Sequence, residues 1–180
     1  MKPRFIPLVI AVLALFGLLA GYSTQERSSP AYATSAAPAT RSDVVDFDGV
    51  RDVRLGQSEA ELTARGALAR PIDACGPVLT GVHEASPVVA NGELVLMWVD
   101  PPLTTPEGVG VGTSVAAAKT AYPQAAIMKA PAASYQFDGL MVTSGDRAYL
   151  FMHDGHTVRK AVVGYTDDVQ RLFVYGVGNC

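Results

Sequence analysis

From about residue 53 the chain alternates short apolar runs with turns rich in Gly, Asn and Asp, and two stretches break this rhythm with helical spacing. Val53-Arg54-Leu55-Gly56-Gln57-Ser58-Glu59-Ala60-Glu61-Leu62 can be laid over Val109-Gly110-Val111-Gly112-Thr113-Ser114-Val115-Ala116-Ala117-Ala118; both read apolar-Gly-x-Ser followed by helix formers. Ser58 with Glu61 is a capping box, in which the serine accepts from an early helix amide and the glutamate reaches back to the cap. It predicts a helix from about Ser58 to Leu68. Thr113 or Ser114 caps a second helix that ends near Tyr122-Pro123, because the residue before proline is pushed out of the helical region. Gly56 and Gly112 let the chain turn into each helix.

Strands follow each helix. Asn91-Gly92 separates Val88–Ala90 from Glu93–Val99, the signature of a type I′ hairpin, and Pro101-Pro102 ends the second strand. Gly145-Asp146 and Asp154-Gly155 join three further strands, 140–143, 148–152 and 157–163, and Arg171 to Val177 reads as a last strand reaching Cys180. Helix then antiparallel meander, twice over, predicts an α+β fold of two tandem units, residues 49–102 and 103–180, with the helices covering one face of the sheet.

The apolar-Gly-x-Ser lead-in, the amphipathic helix, the hairpin sheet and the duplication resemble the tandem fold of β-lactamase inhibitory protein and of small envelope lipoproteins, over about residues 49 to 180. The resemblance implies a non-enzymatic protein that binds others through an exposed sheet face. Inhibition of an extracellular enzyme follows from it only as a minor alternative, since no inhibitory contact motif is matched.

The N-terminus changes the picture of where such a domain works. Met1-Lys2-Pro3-Arg4 is basic and Phe5 to Ala20 is apolar except for Pro7 and Gly17, the pattern of an export signal. Leu18-Leu19-Ala20-Gly21 resembles a lipobox, but Tyr22 stands where lipidation requires a cysteine sulfur. Two outcomes follow: cleavage after Ala31-Tyr32-Ala33, or retention in the membrane through residues 5–22. Residues 1–33 are thus signal or anchor, and residues 34–48 continue an Ala/Ser/Pro-rich segment that reads as a flexible tether. Either outcome predicts an extracytoplasmic domain, secreted or held at the outer face of the membrane.

Composition then narrows the function classes. The 180 residues are 49% hydrophobic and 17% charged, enough to bury a core. After residue 33 the chain carries 11 basic and 16 acidic side chains, net −5, without the basic cluster that nucleic acid requires. Cys75 and Cys180 are an even pair in an exported chain, which predicts one disulfide pinning the C-terminus, worth roughly 4–5 kcal/mol in the chain-entropy account.

No motif assembles catalytic, cofactor or metal chemistry. His153 and His156 flank a turn without a third ligand, and His83 is remote in sequence. Asp46-Phe47-Asp48-Gly49 opens like a calcium loop but lacks its other ligands, and Asp167-Asp168 read as a solvated loop. Nine aromatic residues between Trp98 and Tyr175 must divide between core and surface by strand alternation; Trp98, Tyr149, Phe151 and Tyr175 are the candidates for an interface. The expectation is an exported, non-enzymatic module that binds an envelope or extracellular protein, needs no cofactor and avoids nucleic acid. A protein carrying a small ligand or lipid between sheet and helices is the alternative.

Overall fold

A computed structural model describes residues 43–176 except 73 and 75. The leader, Tyr22, the cleavage triplet and both members of the expected Cys75–Cys180 bridge lie outside the described residues. The fold is α+β with antiparallel sheets.

Folded structure begins within the stretch expected to be tether. Strands β1 (Val45–Asp46), β2 (Gly49–Val50) and β3 (Val53–Arg54) make a small three-stranded sheet. The turn between β1 and β2 is fixed by the Asp46 carboxylate, which accepts from the amides of Asp48 and Gly49 and is held in turn by Arg54 at 2.9 Å. Those three bonds give the carboxylate that looked like the start of a calcium loop a structural role in the turn. Upstream, Thr104 donates its amide to the Asp43 carbonyl and Val45 donates back to Thr104. The folded unit therefore starts before residue 49.

Helix α1 (Glu59–Ala64) is shorter than its sequence pattern suggests. Gly66, in the left-handed region at φ 72°, ends it, and Leu68 goes instead into β4 (Leu68–Ala69), which pairs with β5 (Val78–Leu79). The remaining strands form one six-stranded sheet. Hairpin β6 (Ala85–Ala90) and β7 (Glu93–Val99) turns at Asn91-Gly92, both at positive φ, as a type I′ turn needs. Helix α2 (Val115–Ala121) leads to the short edge strand β8 (Ala126–Met128), then to β9 (Asp138–Ser144), β10 (Arg147–His153) and β11 (Val158–Tyr165). Their order across the sheet is β6-β7-β11-β10-β9-β8. The two expected meanders thus do not form separate sheets, because β7 pairs with β11.

The hairpins β6–β7 and β10–β11 share one register. Val88 opposes Leu96 and Val89 opposes Leu94, with a bulge between; Met152 opposes Lys160 and His153 opposes Val158, with a bulge at the same place. Each lead-in docks on its hairpin alike. Gly56 donates to the Leu94 carbonyl, Leu94 to Gln57 and Glu59 to Gly92; Gly112 donates to Val158, Val158 to Thr113 and Val115 to His156.

The predicted last strand is a helix, α3 (Thr166–Tyr175). Asp167 and Asp168, read as loop, form its first turn, where carboxylates suit the helix dipole, and Asp168 meets Arg171 at 3.2 Å. Val169, Leu172 and Phe173 are its buried face, and Gly176 at φ 68° closes it. The expectation that helices cover one sheet face is corrected accordingly. Leu62 of α1 and Val115 and Ala118 of α2 join the core on one face, with Tyr149, Phe151, Val142 and Val163. On the other face α3 packs over Leu96, Ala148, Leu150 and Val162. No helix among the described residues is long and apolar enough to cross a membrane.

Candidate interaction site: an aromatic cleft beside the last helix

Helix α3 covers only part of its sheet face. Beyond its C-terminal end the strands present Trp98 from β7, Lys160 from β11 and Met152 from β10, and the loop before β9 brings up Tyr135, Gln136 and Phe137. These residues, with Leu172 and Gly176, enclose a cleft of about 230 Å³. The loop is tied to the helix by Gln136, whose Nε2 donates to the Phe173 carbonyl at 2.7 Å. A shallower depression of about 280 Å³ shares Trp98 and Lys160 and extends the cleft to Ser86 and Asp100. The Lys160 ammonium stands 5.5 Å from the centre of the Trp98 ring, a cation–π contact. Tyr135 is fully exposed, a large apolar surface left in water at the cleft mouth.

The four expected interface aromatics separate. Trp98 is half-buried and lines the cleft. Tyr175 is 79% exposed on the last turn of α3. Tyr149 and Phe151 are instead core, 2% and 1% exposed, because they point to the α2 side of the sheet, where Phe47 stacks on Tyr149 at 3.9 Å and Tyr122 stacks on Phe151 at 5.8 Å. Strand alternation required a division between faces without assigning it, and the N-terminal segment that covers Tyr149 carries no periodic signal. Lys160 gave no signal either, as one lysine in an alternating strand reads as solvated.

The lead-in residues act structurally. Ser58 Oγ accepts from the Glu61 amide at 3.1 Å and Ser114 Oγ from Ala117 at 3.2 Å. The capping box is half made, since the Glu61 carboxylate takes its bond from Gln57 Nε2 at 3.2 Å. Gly56 at φ 83° leaves room for Tyr165, whose hydroxyl oxygen would lie 2.5 Å from an added Cβ, and Gly112 at φ 94° meets open space.

The histidines do not converge. His153 is buried, with Nδ1 accepting from the Gly155 amide at 3.1 Å and Nε2 without a partner, whereas His156 and His83 are exposed. Among the described residues no group of three or more His, Cys, Asp or Glu side chains could hold a metal. The perturbed ionisable groups each have a structural cause. Burial pushes the Tyr122 and Tyr149 phenols well up, Tyr122 also donating to Glu107, so both stay neutral. Asp138 is lowered by the Lys129 ammonium at 2.7 Å, and Asp154 by the amides of Thr157 and His156 and by Arg159. None of these groups lines the cleft. The space between sheet and lead-in segments, among Val45, Leu103, Tyr149 and Phe151, is about 10 Å³, too small for more than one water.

No family model matches the chain, and no curated protein matches it. Among solved structures, an extracellular protein containing a SCP domain from Bacillus anthracis is similar over 77% of this chain, with 16% identity and a TM-score of 0.46. The chain spans about half of that protein, 51% of its length.

Proposed function

We propose that this chain is an exported, non-catalytic binding module that engages an envelope or extracellular protein through the aromatic cleft. The observation that carries the reading is the cleft itself: a half-buried tryptophan, a fully exposed tyrosine and an exposed lysine gathered where α3 leaves the sheet uncovered. Aromatic residues around a partly desolvated pocket are the common anchors of protein interfaces. The export-type leader supports an extracytoplasmic location, whether secreted or anchored through residues 5–22. The matched lead-ins and hairpins support reading residues 49–102 and 103–180 as two copies of one unit, and with it kinship to β-lactamase inhibitory protein and small envelope lipoproteins. An extracellular enzyme is one kind of partner such a surface would suit. For the small-ligand or lipid alternative, the gap among Val45, Leu103, Tyr149 and Phe151 offers only about 10 Å³, whereas the cleft has the volume and the apolar lining.

Site-specific photo-cross-linking in the source cell tests the reading. A cross-linker at Tyr135 is expected to give a discrete protein adduct that the same group at Thr63, exposed on α1, does not give. Equal labelling from both positions, or none from Tyr135, would reject it.

A further inference from the structure

The ion pairs of the surface single out one cation. Every described arginine reaches a carboxylate, and so does Lys129, leaving Lys119 and Lys160. Lys119 lies in the last turn of α2, where a cation complements the helix dipole. Lys160 has no such role. Its ammonium is held over Trp98, in the cleft, with no carboxylate within ion-pair distance among the described residues. Asp100 follows Val99, whose cross-strand partner is Ala161, so Asp100 and Lys160 stand at the same end of neighbouring strands without closing on each other.

An unpaired ammonium beside an apolar cleft in an acidic protein suits a ligand with one negative charge on an apolar body. A phosphate group calls for several cations or a forked guanidinium, and an anionic membrane for a basic cluster; neither is present around Lys160. The depression continues past Lys160 to Ser86 and Asp100, groups able to accept backbone N–H donors, which a fatty acid does not offer. Resting on the binding-module reading above, we infer that the cleft takes the carboxy-terminal residue of a partner peptide: a large apolar side chain among Trp98, Phe137, Met152 and Leu172, its carboxylate on Lys160 Nζ, and the preceding amide toward Asp100. A terminal carboxylate is a recurrent handle in peptide recognition, elsewhere taken by backbone amides and in this cleft by one ammonium.

Trp98 is the only tryptophan of the chain, so its emission reports on this cleft alone. The purified full chain, at one fixed detergent concentration, is titrated with N-acetyl-Ala-Ala-Leu as free acid, with the same peptide as C-terminal amide, and with dodecanoate. The acid is expected to bind about tenfold more tightly than the amide, the effect of one charge-assisted hydrogen bond. Lys160→Met should remove that preference by weakening the acid far more than the amide, and Lys160→Arg should retain it. Equal affinity for acid and amide would overturn the carboxylate inference and leave cleft binding standing. Saturable binding of dodecanoate without the peptide acid would overturn the peptide assignment in favour of an apolar anion. No saturable change in Trp98 emission with any probe would overturn the inference, and the cross-linking from Tyr135 then decides separately whether the cleft binds a protein.

Discussion

Trp98 and Val162 face each other across β7 and β11 and occupy the same place in the two hairpins. Carrying the shared register outward from this pair matches Leu96 with Lys160 and Ser86 with Leu150, since Ser86 opposes Trp98 as Leu150 opposes Val162. On the side where α3 lies the matched positions hold Leu96, Leu150 and Val162, all buried. On the side where no described helix lies they hold Lys160, Ser86 and Trp98. The chain leaving β7 takes another course: Pro101-Pro102 follow Asp100, the residue before each proline is biased away from helical geometry, and the chain buries Leu103 on the opposite face. The matched positions Ser86, Trp98 and Lys160 line the depression that extends the cleft.

A stability difference follows from that asymmetry. Leu150 is completely buried under α3, and Leu150→Ala should cost about 2–5 kcal/mol. Ser86→Ala, at the matched but exposed position, should stay within about 0.5 kcal/mol. Urea unfolding of the two variants measures both; comparable losses would mean that the two ends of this face are equally packed.

The N-terminal segment is expected to contribute to the core as a strand would. Tyr149 lies under Phe47, and its hydroxyl donates to the Val45 carbonyl at 3.3 Å. Tyr149→Phe keeps the ring stack and removes the hydroxyl, for a loss of about 1 kcal/mol. Tyr149→Ala removes the stack as well and should cost about 3–5 kcal/mol. Thermal unfolding that ranks the two variants the other way round would contradict this packing.

Local chemistry was legible and tertiary cover was not. Asn91-Gly92 and Asp154-Gly155 announce their hairpins because few residues tolerate positive φ, and Ser58 and Ser114 announce their helices by their caps. The stretch Arg171–Val177 misled because Leu172, Phe173, Val174 and Tyr175 form a run that suits a strand. Begun five residues earlier, the same stretch shows acids in a first turn, apolar residues at Val169, Leu172 and Phe173, and a closing glycine. Of the cleft, Trp98 could be named from sequence but not Lys160. The pairing of β7 with β11, which sets Lys160 beside Trp98, is a long-range choice that neither hairpin encodes alone.

Gly164 is required where those two strands meet. A Cβ there would lie 2.4 Å from the Cβ of Leu96 and 2.9 Å from the Val95 carbonyl oxygen, so β7 and β11 would have to separate. Gly164→Ala is expected at the upper end of the ~1–3 kcal/mol typical of overpacking. Gly92→Ala meets nothing within 4 Å and should cost only the ~1–2 kcal/mol of a left-handed alanine. Denaturant midpoints for the pair give the order, and Gly92→Ala as the more damaging change would refute the close approach.

Acid should loosen the protein through carboxylates held low by their partners, among them Asp154 in a turn and Asp138 at the start of β9. Asp154 accepts from the amides of His156 and Thr157 at 2.9 Å and from Arg159, and Asp138 accepts from Lys129 and from the Ala130 amide at 3.0 Å; both are held below the ordinary carboxylate range. Because these acids are lowered in the folded state, the unfolded chain binds more protons as pH falls. Their contribution is complete above the unfolded carboxyl value of about 3.9 and is lost as pH drops through the lower folded values. Melting temperatures recorded from pH 7 to pH 2 should therefore fall below about pH 4. Asp154→Asn, which keeps an acceptor but removes the charge, should flatten that fall, and Asp138→Asn should flatten it by abolishing the Lys129 ion pair. Profiles that superpose on the parent below pH 4 would mean that neither carboxylate is stabilised by folding.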